Sequence, residues 1–85
     1  MTALVELYGR PGCHLCEDAR AAILRVATRA RFEFVERDIE ADAELTLRYL
    51  ERIPVVLVDG AEIFEYFVDE SELEGRVTRT DGDGG

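Results

Sequence analysis

The chain has 85 residues, 47% of them hydrophobic, with a formal net charge of −9, two cysteines and one histidine. That length bounds it to one small domain, which buries about 60–65% of its unfolded surface, enough for a modest core. Nineteen acidic against ten basic residues disfavour nucleic acid and anionic membrane surfaces as partners, and no stretch approaches the roughly 20 apolar residues of a membrane-spanning helix.

The opening segment MTALVELYGR lacks a basic leader, and Glu6 interrupts its apolar run. It does not read as a signal peptide, so the expected location is the cytoplasm, where thiols are kept reduced. Residues 3–8, ALVELY, read as a strand. GRPG at 9–12 is turn chemistry, with glycine freeing φ and Pro11 fixing it. From Cys13 to about Arg29 the period lengthens: Cys16, Ala19, Ile23, Val26 and Ala27 recur as one face of a helix. Glu17 and Asp18 at its start and Arg25 and Arg29 at its end suit the helix dipole.

Residues 31–39 alternate, Phe32 and Phe34 against Glu33 and Glu36, as a second strand does. Residues 41–51 read as a short helix with Asp42 as N-cap and Leu45, Tyr49 and Leu50 on the buried side. IPVVLV at 53–58 is the continuous apolar run of a strand covered on both faces. Asp59–Gly60 is a hairpin turn, and residues 61–67 return as an antiparallel strand. Asp69 followed by Glu72 resembles a capping box opening a last helix through about Val77. The polar, glycine-rich residues 78–85 read as a disordered tail. The order is β-α-β-α-β-β-α, an α/β domain over 1–77. Its first three strands can be parallel, joined by right-handed crossovers, with the fourth paired back as a hairpin.

The only two cysteines stand three apart, in GRPGCHLCEDA, where strand pattern gives way to helix. At a helix N-terminus Cys13 meets unpaired N–H groups and the positive dipole end, which favour the reactive thiolate. Cys16, one turn on, shares its helix face and can reach it. That gives an exposed attacker, Cys13, and a partly buried resolver, Cys16, for thiol–disulfide exchange. His14 between them would as a cation stabilise the Cys13 thiolate; the plainer reading is a solvent-facing first-turn histidine.

Other chemistries fit less well. Zinc wants four ligands, and one histidine is all that remains. A c-type haem needs histidine directly after the second cysteine, where Glu17 stands. A non-catalytic binding or assembly module with a redox-switch cysteine pair is the main rival, and a dimer bridged by a shared metal or iron–sulfur cluster is a second. Glu6, seven residues before Cys13, is read either as a proton acceptor for Cys16 or as a residue of an open sheet face. Tyr8 lines the site or simply packs.

LYGRPGCHLCEDA together with IPVVLVDG resembles the glutaredoxin-like branch of the thioredoxin superfamily, and in particular the small bacterial glutaredoxin-like proteins with a C-H-L-C type motif. The resemblance spans residue 3 to about residue 77. It implies a thioredoxin-like four-stranded mixed sheet in the order 2-1-3-4 with three helices, the first and last on one face and the middle one on the other. It implies a cis Ile53–Pro54 bond, with Pro54 against the cysteines and the backbone of Ile53 pairing with substrate. Arg10 stands near a basic residue that in glutaredoxins meets a glutathione carboxylate; it is otherwise an exposed loop arginine. The implied activity is a dithiol oxidoreductase acting on protein or small-thiol disulfides, monomeric, with no bound cofactor or metal, and with glutathione or another low-molecular-weight thiol as reductant. There are departures. His14 and Leu15 replace the usual Pro-Tyr, and Phe64 and Glu65 replace a glycine pair that grips glutathione. Asp69 and Glu70 come several residues later than the family's acidic pair. With no tryptophan, the chain also lacks the C-terminal motif of redoxins that serve ribonucleotide reductase.

Overall fold

The computed structural model describes residues 2–83, and the side chains of residues 2–78. Strand β1 (Ala3–Gly9) leads into helix α1 (His14–Ala27) and strand β2 (Phe32–Asp38). A 3₁₀ turn (Ile39–Ala41) precedes α2 (Ala43–Tyr49), and β3 (Val55–Val58), β4 (Ala61–Glu65) and α3 (Glu70–Asp83) follow. The four strands form one sheet in the order β2-β1-β3-β4, the α/β arrangement expected.

Strand β1 pairs parallel with β2 and antiparallel with β3. The expectation of three parallel strands is therefore corrected, and helix length explains why. Fourteen residues of α1 rise about 21 Å, which matches the roughly 23 Å of a seven-residue strand and returns the chain to where β1 began. Seven residues of α2 rise only about 10 Å. The chain stays near the end of the sheet where β2 stopped, and β3 must run back. The hairpin then follows from Asp59 and Gly60, both at positive φ (52° and 86°), the conformation of the tight turn whose twist suits paired strands. Asp59 Oδ1 accepts from the Leu4 N–H at 2.9 Å and fastens the turn to β1. A bulge at Val56–Leu57 leaves Ile63 outside the β3–β4 register.

Alternation in the strands divides the core in two. Ala3, Val5, Leu7, Val56 and Val58 face α1 and α3 and pack on Ala19, Ile23, Val26, Leu73 and Val77. Val55 and Leu57 face the other way, with Ile39, Tyr49 and Ile53. Both faces of β3 are covered, as its valine run predicts.

The helix ends carry the caps the sequence indicates. Asp42 accepts from the N–H groups of Glu44 and Leu45, and Asp69 Oδ1 accepts from the Glu72 N–H at 3.1 Å. Two burial expectations and one helix boundary change. Leu50 is 43% exposed, because the helix ends at Tyr49 and only the row of Leu45 and Tyr49 faces the sheet. Ala27 is exposed and Ala22 buried in its place. Helix α3 runs past Val77 to Asp83 rather than giving way to a tail at residue 78. Once nucleated, a helix gains one hydrogen bond for each residue added, so a polar continuation without proline extends it. Gly84 and Gly85 lie outside the described residues.

Candidate functional site

Cys13 is the N-cap of α1, with extended backbone (φ −93°, ψ 114°). Its Sγ accepts from the Cys16 N–H at 3.2 Å, taking the part that a serine or aspartate oxygen usually plays at this position. The sulfur thus meets one of the helix's otherwise unpaired donors. Both cysteines are free thiols, Cys13 half-buried and Cys16 buried. Burial, first, and a hydrogen bond with Cys13, second, push the Cys16 thiol up to about 11; the backbone and charge of Arg10 oppose this more weakly. At neutral pH Cys16 therefore keeps its proton, next to a sulfur that caps the helix. The two thiols, linked through the Cys16 N–H, are close and unequal, an arrangement able to pass between dithiol and disulfide.

Gly9 makes room for this arrangement. A Cβ at position 9 would lie 2.8 Å from Cys16 Sγ and 3.1 Å from Cys16 Cβ, closer than side-chain atoms pack. Gly9 sits inside β1, and its role is steric rather than conformational. The turn's demand for positive φ falls on Gly12 instead, at 78°. The sequence reading of Gly9 as turn chemistry missed this; the signal available was a glycine ending an apolar strand one helical turn of chain before the dithiol.

The Ile53–Pro54 peptide is cis. Ile53 packs in the same cluster as Cys16, and Cys13 and Tyr8 pack against that cluster. Pro54 is buried, and its carbonyl accepts from the Tyr66 N–H at 2.8 Å. The structure thus gathers Cys13, Cys16 and Ile53, with Pro54 adjoining. Arg10 is exposed and lines a groove of about 470 Å³ that also reaches Leu7, Gly9 and Cys16. His14 is exposed, and among the described residues it makes no hydrogen bond or ion pair. Glu6 does not serve Cys16: its Oε2 accepts from Arg37 Nε at 2.9 Å on the α2 face. Tyr8 stacks on Tyr49, ring centres 4.8 Å apart. Burial, then the Glu6 charge, raises the pKa of Tyr8, which keeps it a neutral packing residue. Tyr49, read from sequence as core only, also carries the Arg52 guanidinium 5.3 Å from its ring centre.

Among the described residues no three His, Cys, Asp or Glu side chains come together as a metal-holding group, and no helix is long and apolar enough to cross a membrane.

Residues 4–78 match the family model described as Glutaredoxin-like domain (DUF836). An uncharacterised protein of Mycobacterium tuberculosis, Rv0508, is 30% identical over 81 residues, covering 89% of this chain and 84% of its own length. A glutaredoxin-like protein of Dictyostelium discoideum is 30% identical over 76 residues, covering 81% of this chain and 69% of its own. Among solved structures, protein Ne2328 from Nitrosomonas europaea superposes with a TM-score of 0.78 at 29% identity, covering 91% of this chain and 93% of its own. A thioredoxin from Halobacterium salinarum, at 17% identity and a TM-score of 0.66 over 91% of this chain and 73% of its own, shares the fold. The family model spans nearly the whole chain and the fold agrees with it, so the chain belongs to the glutaredoxin-like family of the thioredoxin superfamily.

Proposed function

We propose that the protein is a thiol–disulfide oxidoreductase, with Cys13 as nucleophile and Cys16 as resolving thiol. The observation that carries this reading is the inequality of the two sulfurs: one caps a helix, and the other is buried with its proton held. The Cys13 thiolate attacks a substrate disulfide, one substrate thiolate leaves, and a mixed disulfide forms on Cys13. Cys16 then gives up its proton, the departing sulfur accepting one, and attacks Cys13 Sγ. The second substrate thiol is released and Cys13–Cys16 is left oxidised by two electrons. A small thiol, glutathione or another, returns those electrons. Ile53 and Pro54 border the attacking sulfur and dock the substrate backbone, Arg10 meets a substrate carboxylate, and His14 adjusts the charge at Cys13. A monomer in the cytoplasm needs no bound cofactor or metal for this cycle.

The test is a titration against a glutathione redox buffer, with Cys13→Ser and Cys16→Ser alongside. The wild type should equilibrate fast, and Cys16→Ser alone should accumulate a mixed disulfide. In Cys13→Ser, alkylation of Cys16 should stay slow at neutral pH and climb steeply only in the alkaline range, since its thiol is pushed up. If neither cysteine exchanges faster than a free thiol, the fold serves as a docking module instead.

A further inference from the structure

Tyr66 stands at φ 67°, a left-handed backbone that glycine adopts freely and a bulky residue adopts against a steric penalty. It is held there on two sides. Its N–H donates to the Pro54 carbonyl at 2.8 Å, and its hydroxyl donates to the Glu51 carbonyl at 2.6 Å. The Phe67 N–H folds back on the Glu65 carbonyl at 2.7 Å and tightens the same turn. Yet the rings are not spent on the core: Tyr66 is 42% and Phe67 71% exposed, and Leu50, beside Glu51, is 43% exposed. A strained turn that holds aromatic rings in water is not explained by stability; such strain concentrates at working surfaces.

This surface joins the dithiol. Tyr66 is bonded to Pro54, and the preceding Ile53 packs in the cluster that holds Cys16 and receives Cys13. Its surroundings are acidic. Glu51 and Asp69 are exposed, and among the described residues neither is in an ion pair.

We propose that Leu50, Tyr66 and Phe67 form a docking surface for an extended segment of a disulfide-bearing protein, one with a bulky apolar side chain next to its cysteine and a basic residue close by. The proposal rests on the dithiol reading above and names its substrate class. The apolar side chain covers Phe67 and Tyr66, and the basic one meets Glu51 or Asp69. A small polar disulfide covers none of this apolar area and forgoes its contribution to binding. The exchange itself is the balanced two-electron step already described.

Two peptide disulfides test it, one carrying Phe and Lys beside the cysteine and one carrying Ser and Glu, with bis(2-hydroxyethyl) disulfide as the small reference. Wild type should prefer the Phe-Lys peptide by about tenfold in kcat/KM, the size of effect a modest apolar contact gives. Phe67→Ser should lower the ratio of that peptide's kcat/KM to the small disulfide's about fivefold. Tyr66→Gly, whose backbone suits the turn, should fold and lower the same ratio, so misfolding cannot be mistaken for the effect. In parallel, the Phe-Lys peptide with serine for cysteine is titrated into ¹⁵N-labelled wild type, and shifts are expected at Leu50, Tyr66 and Phe67. If exchange is fast but shows no preference, and no shifts appear, the docking proposal is wrong and the dithiol reading stands. If shifts appear without exchange, the surface docks peptides and the oxidoreductase reading is what fails.

Discussion

On the face of the sheet covered by α1 and α3, the buried side chains are alanine, valine, leucine and isoleucine alone. On the face covered by α2, the buried set brings in Cys16 and Tyr49, and Tyr8 and Cys13 join it half-buried. Cys16 lies on α1 yet belongs to this second cluster, because Gly9 at the end of β1 leaves room for its sulfur. The first face is also tied across its helices: Arg25 meets Glu70 at 2.9 Å, and Arg29 meets Glu74 at 2.8 Å. The second carries its polar partners inward, Arg37 on Glu6, whose side chain is only 12% exposed, and Arg52 over Tyr49. One face is an apolar core closed by ion pairs between its helices. The other accepts polar atoms and a close backbone approach so that two unequal sulfurs can meet. Substitutions that separate stability from exchange chemistry will sharpen this division, and substitutions that move both together will break it.

The largest effect belongs to the first face. Ile23 is fully buried at the middle of α1, and truncation there removes a side chain that rigid neighbours cannot replace. Ile23→Ala should cost about 3 kcal/mol, within the usual range for Ile→Ala in cores. For a domain of this size that is roughly 15 °C or more in Tm. Below its lowered melting point the variant should still exchange disulfides at close to the wild-type rate. A matched loss of rate in folded protein, seen by stopped-flow at low temperature, would mean that the two faces are not separable.

Gly9→Ala should show the reverse pattern. The added Cβ meets Cys16 Sγ at 2.8 Å and Cβ at 3.1 Å, and overpacking of this kind costs about 1–3 kcal/mol. Stability should fall less than in Ile23→Ala, while exchange should fall more than tenfold, because a 1 Å misplacement at a reacting atom is itself worth about a hundredfold. Combining it with Cys16→Ala removes the atom it strikes. The stability cost of Gly9→Ala should then shrink, and a double-mutant cycle by chemical denaturation measures the coupling. A cycle with no coupling would show that Gly9 does not position Cys16.

How much of this was legible in the sequence follows from the range of the interactions. The strands, the dithiol at a strand–helix junction and the caps at Asp42 and Asp69 are local patterns, and the structure has them. The sheet order was legible only through the family resemblance. The direction of β3 was misread because strand patterning carries no sign; it needed the comparison of a 7-residue helix with a 14-residue one. The close approach at Gly9 is a contact between two elements and leaves no local trace beyond the glycine. The turn at Tyr66 is the least legible feature, since a tyrosine at positive φ contradicts the residue preference that a reader of sequence relies on.

The smallest effect lies at the rim of the first face. Glu70 sits in the first turn of α3, and its carboxylate accepts from Arg25 Nε at 2.9 Å with Arg29 at 3.5 Å. The Arg25 hydrogen bond holds the Glu70 carboxyl below the usual carboxylate range; desolvation opposes it, and the Arg25 charge and the hydrogen bond and charge of Arg29 add to the lowering. Because the folded state binds this proton less readily than the unfolded one, the stability it confers is present above the unfolded value of about 4.3. It is lost as pH falls through the lowered folded value. Glu70→Gln should therefore change Tm barely at all at pH 7, as exposed ion pairs do, and should flatten the acid limb of the Tm–pH curve. Raising the salt concentration should shrink the difference between the two proteins, because screening acts on exposed charges. Exchange kinetics should not change, since Arg25, which holds the Glu70 carboxylate, lies in the last turn of α1, at the opposite end from Cys13. A variant that lost exchange activity here would place α3 in the site and break the division at its weakest point.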